Sequence, residues 1–109
     1  MTEAGSTWRL WRDNDLLGEL EVTGSDFPWL QARFSAQPRF AQVASLFEEE
    51  LRLLDVADDD VEAWERVYYR LRETVHLTDP DGRQVAEFLL HIDGTDAWWR
   101  WSDTPFDAS

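Results

Sequence analysis

The chain contains no cysteine, and all ten of its basic residues are arginine, with no lysine. Without thiols, disulfides, thiol catalysis and Cys-ligated zinc are excluded. The all-arginine usage is the kind of bias a GC-rich genome produces. Glycine is also sparse, with five residues, and none of them forms a phosphate-cradling loop, a dinucleotide fingerprint or a G-x-S-x-G nucleophile turn. No apolar run approaches the roughly 20 residues that span a bilayer. Met1 to Thr7 lacks the basic and apolar regions of a secretion signal, so the expected location is cytoplasmic. Positive charge is scarce overall, and the formal net charge is −13. Nucleic acid and anionic membranes both require a basic footprint, so neither is an expected partner. Excess carboxylate keeps a small protein soluble, and it equally suits an acidic face that meets a basic protein.

What is abundant is aromatic: seven Trp, six Phe and two Tyr in 109 residues. That length suits one domain spanning residues 1–109 and is enough to bury a core without staples. Large aromatics bury on the order of 150–250 Å² each, so a few anchor a small fold.

Alternation predicts a first hairpin. Trp8 and Leu10 share one face, and Leu20 and Val22 follow the polar turn Asp13-Asn14-Asp15. Pairing Trp8 with Val22 and Leu10 with Leu20 sets Arg9 opposite Glu21, so face and charge agree. Gly24 to Pro38 reads as an irregular crossing whose aromatics Phe27, Trp29 and Phe34 plug the core edge. A helix follows from about Pro38 to Leu54, with Phe40, Val43, Phe47, Leu51 and Leu54 at helical spacing. Glu48, Glu49 and Glu50 are assigned to its solvated face. Asp58-Asp59-Asp60 opens a second helix, with Asp59 and Glu62 making a capping-box-like start and Val61 and Trp64 facing inward. From Val67 to Thr78 both periods fit, and the strand is preferred because the next turn offers a check.

That turn is Asp79-Pro80-Asp81-Gly82. Closing it with Thr78 opposite Arg83 places Val75 against Ala86, Leu71 against Leu90 and Tyr69 against Ile92, all on one face. The turn Asp93 to Asp96 sets Ile92 against Ala97, Leu90 against Trp99 and Phe88 against Trp101, again on one face. The C-terminal half therefore reads as a three-stranded meander. The expected fold is α+β: an antiparallel sheet of about five strands in ββααβββ order, with one or two helices packed on one face. Trp8, Phe88, Trp99 and Trp101 fall in the core, while Trp11 and Trp98 point outward.

The opposite face of the meander carries Arg70, Arg72 and His76, then Glu87 and His91, then Trp98 and Arg100. These seven form the candidate binding face, because Trp and Arg lead interface hot spots. The competing reading is that a helix covers the apolar part and the arginines pair with Glu87. His76 and His91 invite a metal or acid–base role, but the register separates them and sets His91 beside Arg70, so no metal, cofactor or catalytic set is assigned. Asp13-Asn14-Asp15 with Gly18 has the opening of a calcium loop, yet Leu17 and Gly24 stand where ligands are required.

Asp26-Phe27-Pro28-Trp29-Leu30, the run Phe88 to Gly94, and Ala97-Trp98-Trp99-Arg100-Trp101 resemble small uncharacterised proteins of high-GC actinobacteria. The resemblance covers most of the chain and implies no function. The functional expectation is a non-enzymatic protein-interaction module, of the immunity or antitoxin kind, that binds a basic protein. The alternative is a small-molecule-binding or weakly catalytic domain with an aromatic-lined pocket near Trp29 and His91. A third option is assembly through an exposed first or last strand, and homo-oligomerisation stays open.

Overall fold

A computed structural model of the chain describes residues 6–56 and 60–102. β1 (Thr7–Arg12) and β2 (Asp15–Asp26) form the first hairpin, with Trp8 opposite Leu20, Leu10 opposite Gly18 and Arg9 opposite Glu19. The pairing is two residues tighter than the alternation suggested, because the turn is only Asp13-Asn14, with Asp13 at φ 53°. A slip of two preserves every face, and so Trp8, Leu10, Leu20 and Val22 are all buried. The charge match survives on a different residue: Arg9 Nε donates to Glu19 Oε2 at 3.2 Å.

The irregular crossing is corrected to a strand. β2 runs on to Asp26, the chain reverses at a cis Phe27-Pro28 bond, and β3 (Trp29–Ala36) pairs back along β2. Leu30, Ala32 and Phe34 are buried while Gln31, Arg33 and Ser35 are exposed. That period-2 pattern was masked by Gly24 and Pro28, yet the bulge at Val22/Gly24 absorbs the glycine and the turn absorbs the proline. Phe34 fills the core as expected, and Trp29 is half-buried. Phe27 does not plug it; the ring stands 96% exposed at the hairpin tip.

The first helical segment divides at Val43 (φ −124°, ψ 0°) into a 3₁₀ stretch, Pro38–Gln42, and α1 (Ala44–Leu54). Val43 and Phe47 enter the core with Phe40 packed against it, but Glu50 and Leu53 complete the buried stripe, and Leu51 and Leu54 are only half-buried. α2 (Val61–Thr74) is capped by Asp60, whose carboxylate accepts from the Ala63 N–H at 3.1 Å. Asp59, the cap expected from sequence, lies outside the described residues.

The strand expected from Val67 to Thr78 is overturned. Residues 67–74 continue α2, and only His76–Thr78 is extended, as β4. Val67 and Leu71, one turn apart, face the core with helical spacing, so the alternation of Tyr69, Leu71, Val75 and Leu77 bridges two elements. The turn at Asp79–Gly82 forms, with Gly82 at φ 87°, but it closes Thr78 to Gln84, and Val85 N–H donates to Leu77 O at 3.0 Å. Beyond that point the chains part. The pairings of Val75, Leu71 and Tyr69 with Ala86, Leu90 and Ile92 do not occur, and β4 instead pairs with β1. β5 (Glu87–Asp93) and β6 (Asp96–Ser102) pair in the expected register, Phe88 with Trp101, Leu90 with Trp99 and Ile92 with Ala97.

The protein is thus α+β with six antiparallel strands in the order β4-β1-β2-β3-β6-β5, plus two α-helices. The sheet is strongly curled. β1 and β6 are separated by β2 and β3 in this order, a flat span of roughly 14 Å. Their residues Trp8 and Trp99 nonetheless meet with ring centroids 5.5 Å apart, which only a rolled sheet allows. α1 packs against β5, and two side chains of α2 reach the backbone at the start of that strand: Arg72 Nη2 donates to Ala86 O at 3.0 Å and Tyr68 Oη to Phe88 O at 3.3 Å. β1 and β6 are both interior to the sheet. Neither first nor last strand therefore offers an open edge for assembly.

Candidate functional site

The outward face of β3, β5 and β6 follows from their registers. Trp98 lies between Gln31 and His91, and Arg100 lies opposite Leu89. Trp29 sits on the same side as Gln31 by strand alternation. Its indole stacks on His91 with centroids 5.8 Å apart, and Trp98 approaches the same imidazole at 5.3 Å.

His91 is only 2% exposed, because α1 reaches it. Its Nδ1 donates to Glu50 Oε1 at 2.8 Å, and Trp64 Nε1 of α2 donates to Glu50 Oε2 at 2.7 Å. The assignment of Glu50 to a solvated face is therefore corrected: it is 1% exposed. A buried carboxylate is tolerated when both oxygens are hydrogen-bonded. One sign of it was legible, since Glu50 falls three residues after Phe47, on the stripe that enters the core. Three elements thus lock the imidazole, and the imidazole in turn supports the two indoles.

A second cluster joins α2 to β5. Arg72 Nε pairs with Glu87, Tyr68 Oη donates to Glu87 Oε1 at 3.1 Å, and the Arg72 guanidinium lies 4.7 Å from the Phe88 ring centroid. Burial alone would raise the Glu87 carboxyl, but the hydrogen bond and charge of Arg72, with the Tyr68 hydroxyl, hold it below its usual value. Burial and the charge of Glu87 push the Tyr68 phenol up to about 12.

The seven residues of the candidate face divide accordingly. Glu87, His91, Trp98 and Arg100 occupy the outward side of β5 and β6 as expected, with His91 opposite Trp98. Arg72 comes from a helix rather than a strand, and it pairs with Glu87, as the competing reading held. Arg70 also lies on α2, so it is not beside His91, and it lines a groove between α1 and α2 with Arg52 and Arg66. His76 is on β4, stacked on Trp11 with centroids 6.3 Å apart. Trp11 is half-buried, and its indole donates to Thr78 Oγ1 at 3.0 Å. Burial lowers the His76 pKa against the opposing charge of Asp13. Among the described residues, no three His, Asp or Glu side chains are grouped to hold a metal ion, and no helix is long and apolar enough to cross a membrane.

A polar cleft of about 270 Å³ opens where β4 and β5 part, lined by Arg72, Thr74, His76 and Gln84. The helical groove has about 380 Å³. Neither includes Trp29 or His91. The alternative reading from sequence set Trp29 near His91, and the two rings do stack, whereas the exposure of Phe27 at the tip of the β2–β3 hairpin was not legible because it depends on β3. Compared with protein-family models, curated proteins and solved structures, the chain matches none.

Proposed function

We propose that this chain is a non-enzymatic protein-interaction module, acting as an immunity- or antitoxin-like partner of a basic protein. Its contact surface in this reading is the outward side of β3, β5 and β6, formed by Trp29, Trp98, Leu89 and Arg100, with Phe27 on the adjoining hairpin tip. The observation that carries the reading is Phe27, 96% exposed next in sequence to this tryptophan surface. Burying such a ring in a partner releases about 1.5–3 kcal/mol, and indoles on rigid strands contribute area at little entropic cost. The net charge of −13 supports a basic partner by steering its approach. His91 supports the surface from beneath: at 2% exposure it is a strut for the indoles rather than a group presented to substrate.

Affinity capture from native lysate tests this with wild type, Phe27→Ser and Trp98→Ala as baits. The expected result is one specific basic protein held by wild type and lost from both variants. Equal capture by all three baits counts against the reading.

A further inference from the structure

We infer that the groove between α1 and α2 is a second binding site, one that takes an acidic amphipathic helical segment of a protein partner. Its walls and floor are Leu46, Leu53, Ala63, Val67 and the stems of Arg52, Arg66 and Arg70, with Glu49 as the single carboxylate, so arginines outnumber it three to one. In a chain of net charge −13 with only ten basic residues, this concentration of guanidinium runs against the overall field. Arg66 and Arg70 are exposed and one helical turn apart on α2, so their charges are spaced about 6 Å along its axis. Like charges at that spacing destabilise a helix slightly, and neither forms an ion pair with another described residue. Arg52, on the facing wall, has only a 3.8 Å contact with Glu49 in exposed surroundings, a pairing that contributes little.

The complement of this geometry is specific. Two carboxylates one turn apart match Arg66 and Arg70, and an aliphatic side chain between them enters the gap over Leu46, Leu53 and Val67. A helix laid along two others is a recurrent mode of peptide recognition. Guanidinium forks favour carboxylates through paired hydrogen bonds. The groove shares no residue with the Trp29–Trp98 surface, so its test is independent of that one.

The experiment titrates the full chain with a blocked alanine-based helical peptide carrying glutamates four residues apart around a leucine. Methyl chemical shifts of Leu46, Leu53 and Val67 are the readout. Saturable shifts are expected, weakened about tenfold in Arg66→Gln/Arg70→Gln and by raised salt. An Arg66→Glu/Arg70→Glu variant is expected to reject this peptide and to accept its lysine counterpart. The inference is overturned by absent or unsaturable shifts, by equal binding of a glutamine-for-glutamate peptide, or by binding that survives the arginine replacements. It is also overturned if dodecanoate saturates the site while the peptide does not, or if the groove shifts arise from self-association of the chain alone.

Discussion

Glu50 of α1 and His91 of β5 meet inside the protein, carboxylate oxygen to imidazole Nδ1, at 2.8 Å. The contact couples a helix to the outward side of a strand and fixes the rings that flank the histidine. Removing Glu50 leaves the His91 Nδ1 buried without this partner, whereas removing His91 leaves Glu50 with one oxygen still held by Trp64. Glu50→Ala, which leaves buried polar groups unsatisfied, is expected to cost about 1–3 kcal/mol in urea unfolding. The double variant Glu50→Leu/His91→Leu should cost less than the sum of the two single leucine variants by about 1 kcal/mol or more. Strictly additive costs would show that the two side chains do not depend on each other.

The aromatic residues are expected to separate sharply by role. Trp8 and Trp99 are both 0% exposed and in edge-to-face contact, so replacing either with alanine should cost about 3–5 kcal/mol. Their indole N–H groups have no hydrogen-bond partner among the described residues, and deep burial should make both the slowest indole protons to exchange in deuterated solvent. Phe27→Ser should leave the midpoint of unfolding within about 0.5 kcal/mol of wild type. A large loss from Phe27→Ser would mean that the ring packs against the fold.

Acid should destabilise the protein in two windows. The folded-state pKa of Glu87 lies below the ordinary 4.5, so its contribution is complete above that value and is lost as pH falls through the folded pKa. For His76 the folded pKa lies below 6.5. The unfolded chain takes that proton first, so stability declines as pH drops below 6.5 and levels off under the folded value. Glu87→Gln should flatten the lower window and His76→Gln the upper one in unfolding free energy measured against pH. A stability profile that rises on acidification contradicts both signs.

At alkaline pH one phenol should ionise late. Tyr68, raised to about 12, should give a separate step in ultraviolet phenolate absorbance that Tyr68→Phe removes. If Glu87→Gln leaves that step in place, the carboxylate is not what holds the proton on.

Gly18 should resist replacement. A Cβ there would sit 2.4 Å from the Phe34 ring and 2.9 Å from the Ser35 carbonyl, so Gly18→Ala should cost about 1–3 kcal/mol through overpacking. Gly24→Ala meets only the Gln31 side chain at 3.5 Å and should be tolerated, which thermal unfolding of the two variants compares directly.

The β5–β6 hairpin was legible residue by residue, since the turn Asp93–Asp96 is short and each trial register either sorts the faces or scrambles them. The first hairpin was legible in its faces but off by two in its register, because sliding by two leaves the pattern unchanged. The helix over residues 67–74 was not legible, since Val67 and Leu71 satisfy a period of 3.6 while Leu71, Val75 and Leu77 satisfy a period of 2. Of the candidate site, Trp98, Arg100, Glu87 and His91 were placed on one side correctly, while Arg70, Arg72 and His76 depended on that misread segment.

By itself, then, the sequence determined what short-range physics controls: the acidic surface, the exclusion of thiol chemistry, the turns, and which residues of β1, β5 and β6 share a face. Tertiary structure decided the rest. It inserted β2 and β3 between β1 and β6, paired β4 with β1 across most of the chain, and rolled the sheet until Trp8 met Trp99. It also buried Glu50 against His91 and left Phe27 outside. Local alternation assigns a residue to a face, but whether that face meets solvent or another element depends on long-range closure, which no short window of sequence contains.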